Sequence, residues 1–454
     1  MSGDGLTYDD AAARISALAR FGTHPSLDGI STLCEALGRP QDALRVVQVA
    51  GTNGKTSTAR MVSALLGAHG VKAGLFTSPH LHDYREQVEV GGEPIGQEAF
   101  ARAAESVLDA SARLAASGAL AEPLTEFETM TAIALVAFAD AGREWAVLEV
   151  GMGGRWDATS VSAAEVAVVT SVGLDHTEHL GRTLEAIAEE KACVIRPGST
   201  AILGPGVAGV LEVFLSRAQD VDARVLCVAE DPLPCEVRFA VTKRPGRPGG
   251  STVVKVTTQR AAYSEVTLFA PSYQAPNAAC AVAAAEEALG QPLDPVALRG
   301  SLERLSFPGR FEVLRREPPL VADGAHNPQA ASVLADAIRE SFGDEPPVIV
   351  LGVLADKDAR GIVQALARTA GGFVATRSAS PRALPEADLQ RVIEEVTGSR
   401  PPGAPTVADA IRLAQASGGG VVACGSLTVA AEAREACLTR REGPPDRPSP
   451  RGSQ

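Results

Sequence analysis

Gly51, Gly54 and Lys55 stand in the segment Val46-Val47-Gln48-Val49-Ala50-Gly51-Thr52-Asn53-Gly54-Lys55-Thr56-Ser57, where an apolar, β-branched run breaks into glycines and then a lysine. A strand feeding a glycine-rich turn and then a helix start aims backbone N–H groups and the positive end of a helix dipole at one place, which is the chemistry of phosphate binding. Lys55 adds a mobile cation there. The long Walker spacing would need a glycine at Val49, so the match is to the shorter Gly-x-x-Gly-Lys-Thr form. An ordinary strand-to-helix turn with a solvated lysine is the alternative that the segment alone leaves open.

Three other segments carry groups suited to Mg²⁺ and a polyphosphate. Thr77-Ser78-Pro79-His80-Leu81 offers a hydroxyl at Ser78. Glu149, followed by Gly151-Met152-Gly153-Gly154-Arg155-Trp156-Asp157, offers a carboxylate, close backbone approach and a further charged pair. Asp175-His176 is followed by a helix presenting Lys191 within Glu189-Glu190-Lys191. Magnesium prefers oxygen ligands and keeps several waters, so one carboxylate, one hydroxyl and phosphate oxygens suffice. Singly, each group has a structural reading: Glu149 as the partner of a lysine, His176 as a helix cap, Lys191 as a solvated ion-pair residue.

The elements that position these groups follow from the hydropathy pattern. Apolar runs at Arg45–Val49, Val71–Phe76, Trp145–Val150 and Val166–Ser171 alternate with helical patterns, as in a parallel sheet covered by helices. In such sheets ligands gather at the carboxyl ends of the strands, where all the segments above lie. A helix is predicted over Thr56–His69, closed by Gly70. From about Ala223 to Leu268 short alternating segments, Ser251–Val256 and Ser264–Leu268 among them, predict a small antiparallel sheet with a turn at Lys243–Gly250. A helix follows from about Asn277 to Gly290. Strand signals at Leu320–Ala322, Val348–Leu351, Gly372–Thr376 and Gly420–Cys424 then predict a second, smaller α/β domain. The domain reading is 1–305, a linker at 306–312, a C-terminal domain at 313–438 and a disordered tail at 439–454, rich in Pro, Arg and Gly.

At 454 residues the chain is too long for one typical domain. With 45% hydrophobic residues it reads as a soluble globular protein, and no apolar run reaches the roughly 18 residues of a membrane span. The polar, acidic start does not resemble a secretory signal, so the reading is cytoplasmic. Seven scattered cysteines without a C-x-x-C pair argue against a disulfide framework or structural zinc. A net charge of −13 disfavours nucleic acid and anionic membranes as partners.

Taken together, the segments resemble the bifunctional folylpolyglutamate synthase/dihydrofolate synthase family, relatives of the Mur peptidoglycan ligases. The resemblance runs from about Ile15 to about Glu435. Beyond the segments above it rests on Leu180-Gly181, Glu190-Lys191-Ala192, Asn277-Ala278-Ala279, Pro308-Gly309-Arg310, Asp323-Gly324-Ala325-His326-Asn327-Pro328, Asp356-Lys357-Asp358 and Gly425-Ser426-Leu427. It implies an N-terminal phosphate-loop domain with a mostly parallel sheet and a smaller, Rossmann-like C-terminal α/β domain. It implies an ATP-dependent ligase that phosphorylates a carboxylate and lets the amine of L-glutamate displace the phosphate, the acid being dihydropteroate, a folate or both. Gly51, Thr52, Asn53, Gly54, Lys55 and Thr56 would hold the phosphates. Ser78 and Glu149 would hold one Mg²⁺, and Glu149, His176 and a carbamylated Lys191 a second. Asn277 and Arg310 would contact adenine and phosphate, with Asp323 and His326 near the ribose and γ-phosphate. Arg155 and Asp157 would meet the acid, Asp157 at a position used for pterin. A monomer is implied.

The chain departs from the family at Ala270-Pro271-Ser272-Tyr273-Gln274 in place of Gly-x-His-Gln, at Gln87 in place of an arginine, at Ser160 in place of an asparagine and at Cys193 in place of a glycine. These leave open the same chemistry on another acid. A metallohydrolase built on His80, His82, His176 and His179 is an alternative from another class, but it leaves the phosphate loop unexplained. A non-catalytic nucleotide-binding regulator would have no use for Lys55, Glu149, His176 and Lys191.

Overall fold

The apolar runs become strands in the computed structural model, which describes residues 5–22 and 24–438. The tail at 439–454 lies outside the described residues. The strands are β1 (Arg45–Ala50), β2 (Ala73–Phe76), β3 (Val88–Val90), β4 (Glu93–Pro94), β5 (Trp145–Glu149) and β6 (Val166–Ser171). They continue with β7 (Thr200–Gly206), β8 (Arg224–Glu230), β9 (Val237–Lys243), β10 (Thr252–Thr257) and β11 (Ala262–Leu268). All belong to one sheet, ordered β11-β10-β9-β8-β7-β6-β1-β5-β2-β3-β4. β1 lies between β5 and β6, parallel to both, with Val49 beside Glu149 and Val47 beside Val166. That register brings the carboxyl ends of three neighbouring interior strands together.

β1 and β5 are buried along almost their whole length, the burial a parallel strand has when helices cover both faces. The helix Lys55–Ala68 leaves β1 through the glycine turn and buries Met61, Val62, Leu65 and Leu66. It closes as expected at Gly70 (φ 79°), with the Val71 N–H donating to Leu66 O at 3.1 Å. That bond withdraws Val71 from the sheet, so β2 starts at Ala73 and not at Val71. On the other face the helix Glu126–Asp140 is buried from Glu128 to Phe138. It opens with a reciprocal cap between Thr125 and Glu128, worth about 1 kcal/mol.

The predicted small antiparallel sheet is not a separate sheet. β8 runs parallel to β7, and β9 parallel to β8, while β9, β10 and β11 alternate in direction and extend the main sheet at one edge, as β2, β3 and β4 do at the other.

The described residues fall into two compact units, one running to 244 and including 251–305, the other made of 245–250 and of 306 onward. In the second, β12 (Glu312–Arg316), β13 (Pro319–Ala322), β14 (Val348–Leu351), β15 (Gly372–Thr376), β16 (Gly403–Ala404) and β17 (Val421–Cys424) form a sheet ordered β12-β13-β17-β14-β15-β16. It is parallel apart from β12. Residues 306–312, expected as a linker, are held in that unit: Gly324 N donates to Gly309 O at 2.8 Å and Phe311 N to Asp323 Oδ2 at 2.7 Å. Among the described residues no helix is long and apolar enough to cross a membrane.

Candidate active site

The turn after β1 is shaped by its neighbours on β6. A Cβ on Gly51 (φ 148°) would stand 2.0 Å from Thr170 Oγ1, so only glycine fits. Thr170 Oγ1 donates to Asn53 O at 2.7 Å, Asn53 N donates to Ser171 Oγ at 3.0 Å, and Thr52 N to Ser171 O at 2.9 Å. Gly54 (φ 90°) then starts the helix at Lys55. The first N–H groups of a helix have no partner within it, and together with the dipole they suit an anion. Lys55 is half-buried, with Nζ 3.3 Å from Thr52 O. Sequence reasoning found the loop but missed Thr170 and Ser171, whose hydroxyls carry no pattern of their own.

Glu149, 2% exposed at the end of β5, joins two of the segments. Thr56 Oγ1 donates to its Oε1 at 2.8 Å and Ser78 N donates to its Oε2 at 3.2 Å. A buried carboxylate with two hydroxyl residues beside it, next to a phosphate loop, is a donor set that fits Mg²⁺.

Lys191 is 3% exposed and donates to Gly51 O at 3.0 Å. Burial, with Lys55 adding repulsion, pushes its pKa down to about 7. It is therefore not the solvated ion-pair residue that its two glutamate neighbours suggest. His176 is exposed and takes a left-handed backbone (φ 50°), rare for a residue with a Cβ, while its N–H donates to Asp175 Oδ1 at 3.0 Å.

Asp157 is 4% exposed and turned into its own loop: Met152 N donates to Oδ2 at 2.9 Å and Thr159 N to Oδ1 at 3.0 Å, with the Thr159 hydroxyl beside it. Burial raises its pKa despite those bonds. Arg155 is exposed and pairs with Glu190 at 2.8 Å, next to Lys191. Asn277 Oδ1 lies 2.6 Å from where a Gly54 Cβ would be, and its Nδ2 donates to Gln274 Oε1 at 2.7 Å. Gln274, fully buried, donates in turn to Ser57 Oγ at 2.9 Å. Gln87, where the family has arginine, is buried and bonded to His80 Nδ1 at 2.7 Å. Cys193 Sγ donates to Glu189 O at 3.3 Å.

In the second unit, Asp323 is 5% exposed and accepts from Phe311 N and Ala325 N. Arg310 lies close enough to Gly324 that a Cβ there would meet its Nη1 at 2.6 Å. His326 donates from Nδ1 to Gly324 O at 2.8 Å, since a carbonyl can only accept. Among the described residues no group of three or more His, Cys, Asp or Glu could hold a metal ion, so His80, His82, His176 and His179 do not form one.

A phosphate loop at the centre of a parallel sheet, a carboxylate and two hydroxyls at the adjoining strand ends, and a second α/β unit define an ATP-using ligase of the Mur type. Residues 49–285 match the Mur ligase middle domain and residues 309–427 the Mur ligase glutamate ligase domain. The chain belongs to the Mur ligase family, within its dihydrofolate synthase/folylpolyglutamate synthase group of ATP-dependent ligases. It is 39% identical to a dihydrofolate synthase/folylpolyglutamate synthase of Mycobacterium tuberculosis over 79% of this chain and 76% of that one. A probable bifunctional folylpolyglutamate synthase/dihydropteroate synthase of Haloferax volcanii is 37% identical over 94% of this chain, which spans only 50% of that relative. The Mycobacterium tuberculosis folylpolyglutamate synthase complexed with ADP and AMPPCP superposes with a TM-score of 0.87 at 36% identity, covering 95% of this chain and 99% of that one. Escherichia coli FolC in complex with DHPP and ADP gives a TM-score of 0.83 at 29% identity, covering 95% and 98%. A bifunctional folylpolyglutamate synthase/dihydrofolate synthase with Mn, AMPPNP and L-glutamate bound gives 0.80 at 28%, covering 94% and 98%.

Proposed function

We propose that this ligase joins L-glutamate to dihydropteroate, to folates or to both, with ATP and two divalent ions. The observation that carries the reading is Glu149, bonded at once to Thr56 of the phosphate-loop helix and to the backbone of Ser78. One ion would be held by Ser78 and Glu149, the second by Glu149, His176 and Lys191; when bound they supply positive charge to the phosphates. Gly51, Thr52, Asn53, Gly54 and Thr56 cradle the polyphosphate, and Lys55 neutralises charge on the phosphoryl as it transfers. Asn277 serves the nucleotide, and the family resemblance gives Arg310, Asp323 and His326 of the second unit as further candidates for contacts to ATP.

Lys191 is carbamylated in this reading. Carbon dioxide is attacked by a neutral amine, and a pKa near 7 leaves much of Lys191 neutral at physiological pH. As the new C–N bond forms, a C=O π bond opens and the nitrogen gives a proton to solvent; the product is an anion, which suits a position beside a metal better than an ammonium does. Asp157, with Arg155, meets the acid: its oxygens hold the loop by accepting from Met152 N and Thr159 N, and a carboxylate has further lone pairs for the donors of a pterin.

The test is phosphate release from ATP with a panel of acids. Release that requires both glutamate and either dihydropteroate or a reduced folate is expected. Release with some other acid, and with neither of these, would replace the folate reading by the same chemistry on that acid.

A further inference from the structure

Gln48 lies in the middle of β1 and is 0% exposed, a polar side chain in a strand whose other central positions are apolar. On its own face of the strand, Val46 packs into a cluster with Phe76 and Phe138, and Ala50 into another with Val150 and Ile187. Gln48 sits between them, and its amide reaches the turn Ala158–Val161: Nε2 donates to Thr159 Oγ1 at 2.9 Å and to Ser160 Oγ at 2.9 Å.

The direction of these bonds is forced. The Thr159 hydroxyl gives its proton to Asp157 and the Ser160 hydroxyl gives its own to Gly154 O at 2.6 Å, so both offer Gln48 only lone pairs. The amide must therefore turn its NH₂ outward to both, and its Oε1 is left buried with no partner among the described residues. A buried carbonyl left in that state is costly. The arrangement stands on the strand that carries the phosphate loop. Downstream, Asp157 and Gly154 fix the loop back to Met152, and Arg196 Nη2 donates to Ser160 O at 2.9 Å from just beyond the helix of Lys191.

We propose that Gln48 is a positioning residue that sets the loop 151–159 from the strand beneath the phosphate loop, so that the acid is held in register with the phosphates. The proposal rests on the reading of that loop as the acid site.

Gln48→Leu keeps the size and removes both donors. It is expected to raise KM for the acid roughly tenfold and leave KM for ATP and the melting temperature near wild type. Ser160→Ala removes one acceptor of the same amide, and the two changes combined should be no worse than the worse single one. Gln48→Glu adds a pH readout: when ionised it has no proton to donate and faces two lone pairs, so its acid KM exceeds that of Gln48→Leu at pH 8 and falls as the pH is lowered. A pH-independent Gln48→Glu, KM values for acid and ATP that rise together, or a lowered melting temperature with unchanged KM would overturn the proposal. If Gln48→Leu does not fold, Ser160→Ala alone decides by the same KM split. Failure of the folate reading would show in the wild type, and the KM comparison is then made with the acid that the panel identifies.

Discussion

Lys55 lies near enough to Lys191 for its charge to help lower the pKa of Lys191. Lys55 is half-buried at the start of the phosphate-loop helix, and Lys55→Ala should slow phosphate release with acid and glutamate by at least ~100-fold in a protein that still folds. Undiminished release would remove the phosphate-loop assignment. Lys191 loses its proton near pH 7 in the folded chain, whereas the unfolded chain keeps it up to its ordinary value of 10.5. Between those values the unfolded state binds more protons, so this group's contribution to stability rises with pH. In CO₂-free buffer the urea midpoint of the wild type should therefore gain on that of Lys191→Met from pH 7 to 10; a constant difference would contradict the buried, neutral amine. With ¹³C-bicarbonate, a carbamate resonance that Lys191→Arg lacks is expected, and its absence from the wild type would count against carbamylation. Glu149 and Lys191 were legible in the sequence because a charge is conspicuous at the end of an apolar strand or in a helix that must cover one. Thr170, Ser171 and Gln274 were not, because each acts on a backbone or side chain far away in sequence, as Thr170 does on Asn53. Asp157 was legible as a charged residue, but its bonds to Met152 N and Thr159 N, which hold its own loop, were not.

The phosphate turn is an element built jointly by β1 and β6. Since a Cβ on Gly51 would run into Thr170 Oγ1 at 2.0 Å and Ser171 N at 3.2 Å, Gly51→Ala must push β1 from β6 or open the turn. Loss of ADP binding by ~100-fold or more in calorimetry, with an unchanged far-ultraviolet spectrum, is the expected outcome. Binding at wild-type strength would mean that the turn has slack that its hydrogen bonds do not suggest. The strands around this turn were legible because strands buried on both faces leave unbroken apolar runs. β3 and β4, of three and two residues, leave no such trace. The direction of β9 was missed for a different reason. The short connection 231–236 has the length of a hairpin, and parallel neighbours ordinarily need a longer crossover. Here the chain doubles back, tied by Cys227 N donating to Glu236 Oε2 at 3.0 Å, and β9 sets out beside the end of β8.

At the scale of the molecule, each unit has its own core, with Phe76, Phe100 and Phe138 in the first and Val350, Ile411 and Val429 in the second. Separate cores predict two unfolding transitions in calorimetry, of which ADP raises the one that contains the phosphate loop. One transition, or an equal shift of two, would argue that the units unfold together. A chain cut after Leu305 should keep weak ADP affinity and lose ligation with Asp323 and His326; turnover by it would contradict the part given to those residues. The order of strands in the first unit bears on how the chain is made. Arg45 pairs with Trp145 and Val47 with Val166, so the strand that carries the glycine turn stays without neighbours until β5 and β6 have been synthesised. Thr170 and Ser171, which give the turn its shape, are the last residues of that second partner. A ribosome that stops after Thr56 but before Thr170 releases a chain with every residue of the phosphate motif and without the hydroxyls that shape it, so such incomplete products should not compete with the finished enzyme for ATP.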